Sequence, residues 1–290
     1  MKIGLQLPYF NFANTADTIA QIAQTAEAGG VYSMWVMDHF FQLGFEPLGP
    51  QEDPMLEGYS VLSYLAGQTE TIKLGTLVTG VIYRNPGLLA KVVTTLDVLS
   101  KGRAYLGIGA AWFEREAVAL GFAFPSVKER FEWLEETLQI AHQMWSDNDG
   151  AYAGKHFQLA ETLNNPPPMS QPHPPIMIGG MGEKKTLKFV AQYGDACNLF
   201  LGAGIDVLSH KIEVLKGHCS DVGRDYDDIE KTTLGTAYHG DLPDSDAVIE
   251  ICKQLADLGV SHAIFNMPDA DKLDNVKRLT DEVVPAVADL

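Results

Sequence analysis

Ile176-Met177-Ile178-Gly179-Gly180-Met181-Gly182-Glu183-Lys184-Lys185 is an apolar run that ends in glycines and opens onto a helical pattern. That is a strand-to-helix junction, and the same kind of junction recurs along the chain. Runs rich in Val, Ile and Leu alternate with stretches of helical spacing, the pattern of βα units around a parallel sheet. Eight strands are expected: Lys2–Leu7, Ser33–Met37, Ile72–Val78, Arg103–Gly109, Pro175–Gly179, Asp195–Leu199, Lys231–Ala237 and Ser261–Asn266. The clearest helices are expected over 15–28, 86–99, 126–145, 183–193, 205–219, 244–258 and 269–286. Eight strands with outer helices close into a (β/α)8 TIM barrel, and 290 residues suit a single domain of that kind over 1–290.

Local signals fix several boundaries. Asn14 or Thr15 can cap the first helix, Gly29-Gly30 stops it, and Pro86 stands where a first-turn proline is tolerated. Ser126 with Glu129 has the capping-box spacing that starts a long helix over Arg130, Phe131, Leu134, Leu138 and Ala141. Two connections, Phe40 to Ser60 and Asp147 to Pro174, are long, polar and rich in Pro and Gly, so they read as loops over the barrel.

Composition excludes some functions. With 46% hydrophobic residues and no apolar stretch of membrane-spanning length, the chain is expected to be soluble, and its start lacks a secretion signal. The odd set Cys197, Cys219 and Cys252 has no CxxC spacing, which argues against disulfides or zinc and fits a cytoplasmic location. A net charge of −17 without a basic run makes nucleic acid a poor partner. An anionic ligand would need local dipoles and nearby cations such as Lys184 and Lys185, which can equally be solvated helix residues.

Chemistry in a barrel collects at the C-terminal strand ends, here Asp38-His39, Thr79, Gly109-Ala110-Ala111-Trp112 and Gly179 to Gly182. Gly179, Gly180 and Gly182 can approach a ligand closely before a helix N-terminus, the layout of a phosphate cradle; the alternative is a turn that binds nothing. A strand-end histidine exchanges a proton near neutral pH, and an adjacent acid such as Asp38 can orient it. The alternative for Asp38-His39 is backbone satisfaction at the strand end. Gly107-Ile108-Gly109-Ala110-Ala111-Trp112 begins like a dinucleotide fingerprint but places Trp112 where Gly or Ala is needed. Trp112 is then either ordinary packing or a substrate wall. No HxxxH, HExxH or G-x-S-x-G pattern supports a metal centre or a serine nucleophile.

Taken together, Trp35-Val36-Met37-Asp38-His39-Phe40, Leu74-Gly75-Thr76-Leu77-Val78-Thr79, Tyr83-Arg84-Asn85-Pro86, Gly102 to Gly109, Ile178-Gly179-Gly180 with Glu183-Lys184-Lys185-Thr186, and Tyr193 to Asn198 resemble the luciferase-like oxidoreductases. The resemblance is to the branch that uses the deazaflavin coenzyme F420, and it spans nearly the whole chain. It implies a TIM barrel that transfers a hydride to or from a small organic substrate. The ring would lie near Asp38, His39, Val78, Thr79, Gly109 and Ala110, with the phosphate at Gly179, Gly180, Met181 and Gly182. It further implies His39 as acid–base residue, a non-proline cis peptide at Leu77-Val78, and a homodimer.

Two departures narrow the transfer. Ala110, Ala111 and Trp112 stand where sugar-phosphate-oxidising relatives carry Thr, Gly and Glu; Glu114 is either a replacement donor or a solvated helix residue. Met181 replaces a further glycine of the cradle. Alternatives of the same fold are an FMN-dependent monooxygenase and a non-catalytic deazaflavin carrier or sensor.

Overall fold

A computed structural model describes residues 1–45 and 48–290; Glu46 and Pro47, inside the expected Phe40 to Ser60 connection, lie outside the described residues. Strands β1 (Lys2–Leu7), β2 (Ser33–Val36), β3 (Lys73–Thr76) with its short continuation β4 (Thr79–Gly80), and β5 (Ala104–Gly109) form the first half of the barrel. The small hairpin β6 (Tyr152–Ala153) and β7 (Gln158–Leu159) stands outside it, within the long connection expected as pure loop. The wall continues with β8 (Ile176–Gly179), β9 (Ala196–Phe200), β10 (Glu230–Thr236) and β11 (His262–Asn266). All wall pairings are parallel, and the sheet closes where Leu74 and Gly75 of β3 pair with Ala104 and Tyr105 of β5.

The helices are α1 (Thr15–Ala28), α2 (Gly58–Ala66), α3 (Pro86–Leu99), α4 (Glu114–Ala119), α5 (Val127–Met144), α6 (Thr186–Tyr193), α7 (Ile205–Val222) and α8 (Ser245–Asp257). Their starts follow local chemistry: Asn85 Oδ1 accepts from Gly87 N at 3.0 Å beneath Pro86, and Ser126 Oγ accepts from Glu129 N at 3.3 Å. Three expectations change. Helix α6 begins at Thr186 rather than Glu183, because Glu183 to Lys185 form a turn. The single helix expected over 269–286 is broken into a 3-10 turn, α9 (Asp274–Arg278), a π turn over Leu279–Val283 and α10 (Val284–Ala286). Two helices, α2 and α4, were not expected. No helix among the described residues is long and apolar enough to cross a membrane.

Register explains how the barrel shapes its upper end. Leu74 pairs with Ala104 and Thr79 with Ile108, so five steps along β3–β4 match four along β5 and one residue bulges from the ladder. The bulge holds Leu77 and Val78, and the peptide between them is cis, as the resemblance implied. Inside the barrel Trp35, Tyr105, Met177 and Ile264 fill the lower volume, with Leu77, Val78 and Leu234 packed above them. The lower end is tied by polar contacts: Lys2 Nζ lies 2.7 Å from Glu230 Oε1, Tyr105 donates to Glu230 Oε2 at 3.2 Å, and His262 Nε2 is 2.7 Å from Ser33 Oγ. A filled base leaves the barrel's open space at the C-terminal strand ends.

Candidate active site

That open space is a cavity of about 520 Å³, within the range of small-molecule sites. His39, just past β2, reaches its wall. Its Nδ1 lies 2.5 Å from Oε1 of Glu116, a fully buried residue on α4. Glu116 Oε2 accepts the backbone N–H groups of Phe40 at 2.8 Å and Phe41 at 3.2 Å, and Oε1 also takes the Tyr83 hydroxyl. Burial works against the Glu116 charge, yet the hydrogen bond and charge of His39, with Tyr83 and Phe40, hold its carboxyl below the ordinary range. Burial and then Glu116 push the Tyr83 phenol above its usual range, so that side chain remains a donor. The imidazole is therefore held from one side, and its Nε2 has no partner among the described residues.

Asp38 is not the partner of His39. Its carboxylate turns away and receives both terminal nitrogens of Arg84, at 2.5 and 3.0 Å, and Arg84 also pairs with Glu57. Burial raises the Asp38 pKa, with Arg84 opposing; burial likewise works against the Arg84 charge, but Asp38 outweighs it and keeps the guanidinium firmly protonated. Glu57 in turn caps α2 by accepting from Ser60 N at 2.7 Å, so this cluster fastens α2 to the strand ends beside the cavity.

The wall brings together most of the expected residues: Val78 and Thr79, Gly109 and Ala110, Gly179 and Gly180, and Trp112 all border the cavity with His39. Asp38, Met181 and Gly182 do not border it. Met181 is drawn aside, its sulfur accepting from Phe200 N at 3.4 Å, and the Gly182 carbonyl receives Leu187 N at 3.0 Å. Gly109 and Gly179 answer to the bulge, because a Cβ at either would stand 3.1 or 2.9 Å from the Val78 side chain. Gly180 has φ +120°, open to glycine but strained for other residues.

No Asp, Glu or Lys among the described residues borders the cavity. Lys184 and Lys185 are exposed and off the wall. The guanidinium is Arg130, on the first turns of α5; Nε donates to Ala110 O at 3.1 Å, one terminal nitrogen donates to Pro125 O at 2.8 Å, and no carboxylate pairs with it among the described residues. The floor carries amides. Gln6 Nε2 donates to Leu77 O at 2.9 Å and Asn198 Nδ2 to Thr232 at 2.8 Å, while the buried Asn266 Oδ1 has no hydrogen-bond partner among the described residues. Glu116, Arg130 and Asn266 were not singled out as site residues by the sequence. Arg130 was legible only as one position on a capped helix, and nothing distinguishes Glu116 from Glu114 before the fold is known.

The sequence model of the luciferase-like monooxygenases matches residues 1–268. The chain belongs to that family. Among its luciferase-like relatives is the F420-dependent glucose-6-phosphate dehydrogenase of Kineococcus radiotolerans, 30% identical over 73% of this chain and 60% of that protein. The F420-dependent hydroxymycolic acid dehydrogenase of Mycobacterium tuberculosis is 29% identical over 67% of this chain and 51% of that one. The chain thus spans well under two thirds of the length of these curated relatives. Among solved structures, an F420-dependent secondary alcohol dehydrogenase in complex with an F420-acetone adduct superposes with a TM-score of 0.81 at 20% identity, covering 99% of each chain, which is a likeness of fold.

Proposed function

We propose that this luciferase-like protein is a coenzyme F420-dependent oxidoreductase acting on a carbinol–carbonyl pair of a small organic molecule. The observation that carries the reading is His39, held from behind by the buried Glu116, on the wall of a cavity that among the described residues no acidic side chain borders and one guanidinium does. An anionic deazaflavin suits that wall. Among the described residues no carboxylate pairs with Arg130, which offers a cation for the phosphate, and Gly180 brings backbone onto the same cavity. Asn266 Oδ1 supplies an unused acceptor for a ring N–H. The two curated relatives named above are F420-dependent dehydrogenases, in support of the same cofactor.

When bound, coenzyme F420 supplies a ring whose carbon 5 accepts or gives a hydride. The protein contributes orientation and proton management. Glu116 fixes the imidazole through Nδ1, which leaves Nε2 to take or return the proton of the substrate hydroxyl. Val78, Thr79, Gly109 and Ala110 border the space for the ring, and Trp112 stands beside His39 as substrate wall. The working form is taken to be a homodimer, as the resemblance implies, in the reducing cytoplasm that the three unpaired cysteines suit.

A titration with coenzyme F420 and with FMN tests the reading. F420 is expected to bind at least tenfold more tightly; preference for FMN would turn the reading toward an oxygen-using monooxygenase, and binding without turnover of any alcohol or ketone toward a carrier.

A further inference from the structure

We infer that the substrate is an uncharged molecule with an extended apolar body, gripped by a collar of Phe45, Trp112, Val127 and Phe200; the inference rests on the reaction proposed above and names what surrounds the reacting carbon. These four side chains come from separate segments, the loop after β2, the turn after β5, the start of α5 and the end of β9. Each exposes more than half of its surface, and all four border the same cavity. Exposed apolar side chains scattered singly need no explanation, but a ring of them around one opening marks a binding surface.

The collar leads to the chemistry. Trp112 stacks on Phe113 with ring centres 5.3 Å apart, and its edge meets the His39 ring at 5.7 Å. Deeper in, Met37, Leu43 and Leu48 continue the apolar lining. A sugar phosphate finds little here: its hydroxyls would be buried against hydrocarbon without partners, and the guanidinium on the wall, Arg130, is the one assigned above to the cofactor phosphate. A substrate passing among them explains why the four side chains border one cavity with His39. In the oxidative direction bound oxidised F420 would accept the carbinol hydrogen as hydride, and His39 would take the O–H proton as the C=O bond forms.

The test is calorimetric titration of the whole protein, with and without F420, using 2-alkanones from butanone to decanone and glucose 6-phosphate as polar control. The dissociation constant is expected to fall about twofold to fourfold per added methylene, with glucose 6-phosphate giving no competing heat. Trp112→Ser and Phe200→Ser should each flatten that dependence. A constant independent of chain length, or a dependence that both variants keep, overturns the inference, as does loss of a dimer in sedimentation with the dependence unchanged. The cofactor-free titration keeps the two proposals apart: failure of F420 to bind removes the proposed function, while the chain-length dependence still decides the substrate class.

Discussion

The imidazole of His39 is held by Glu116, 77 positions further along the chain, through an Nδ1 to Oε1 contact of 2.5 Å. A buried carboxylate on one ring nitrogen fixes the tautomer and aims the other nitrogen, so Glu116 acts through His39. Glu116→Gln is expected to lower kcat by about tenfold to a hundredfold, as loss of an orienting carboxylate does elsewhere, with KM changed less than twofold and partial recovery in Glu116→Asp. An effect confined to KM in steady-state kinetics would argue against this role.

His39→Ala should be more severe. Proton transfer by a positioned side chain is worth roughly a hundredfold to ten-thousandfold, so kcat should fall by at least about a hundredfold while F420 affinity stays near the parent value. Single-turnover hydride transfer at full cofactor occupancy decides the matter; near-parental transfer would sink the catalytic assignment.

Gly180→Val probes the cradle. The added Cβ would sit 3.4 Å from the Thr186 methyl, so the difficulty lies in the backbone, which a branched residue cannot hold comfortably at φ +120°. F420 affinity should drop at least tenfold, and affinity for the phosphate-free deazaflavin nucleoside far less. Equal losses for both ligands in fluorescence titrations would place the phosphate elsewhere.

At the opposite end of the barrel, Glu230 is expected to contribute to acid stability. Burial opposes its charge, but His262 and Lys2 draw its pKa down to about 2 from the ordinary 4.5. The unfolded chain therefore takes up this proton first, so the contribution is complete above about pH 4.5 and is lost as pH falls toward about 2. Glu230→Gln should be less stable at pH 7, and the gap to the parent should shrink between pH 4.5 and 2 in urea melts. A gap constant across that window would falsify the assignment.

The barrel was readable because buried parallel strands are short apolar runs, and each stands next to a capped helix or a glycine stop. Those signals place the wall strands within about two residues. The failures are equally physical. Helix α2 starts at a glycine, is capped by Glu57 rather than by Ser, Thr, Asp or Asn, and adjoins a proline-rich stretch. Helix α4 has six residues, too few for a period to show. Asp38 adjoins His39 in sequence, yet successive residues at a strand end point to opposite sides, so the acid that meets the imidazole comes from across the opening. Lys184 and Lys185 follow closely on the glycines, but among the described residues the cation on the wall is Arg130, brought there by helix packing.

A wall that carries no acidic side chain among the described residues, inside a chain of net charge −17, has a kinetic consequence. An anionic ligand is repelled at long range and welcomed only on contact, so the protein's own field works against encounter. Salt shortens the reach of that field to about 8 Å at physiological ionic strength, while the ligand seated against the desolvated guanidinium feels the screening far less. Admission of such a ligand thus quickens as salt rises and residence changes little, so that the surface charge meters traffic into the interior.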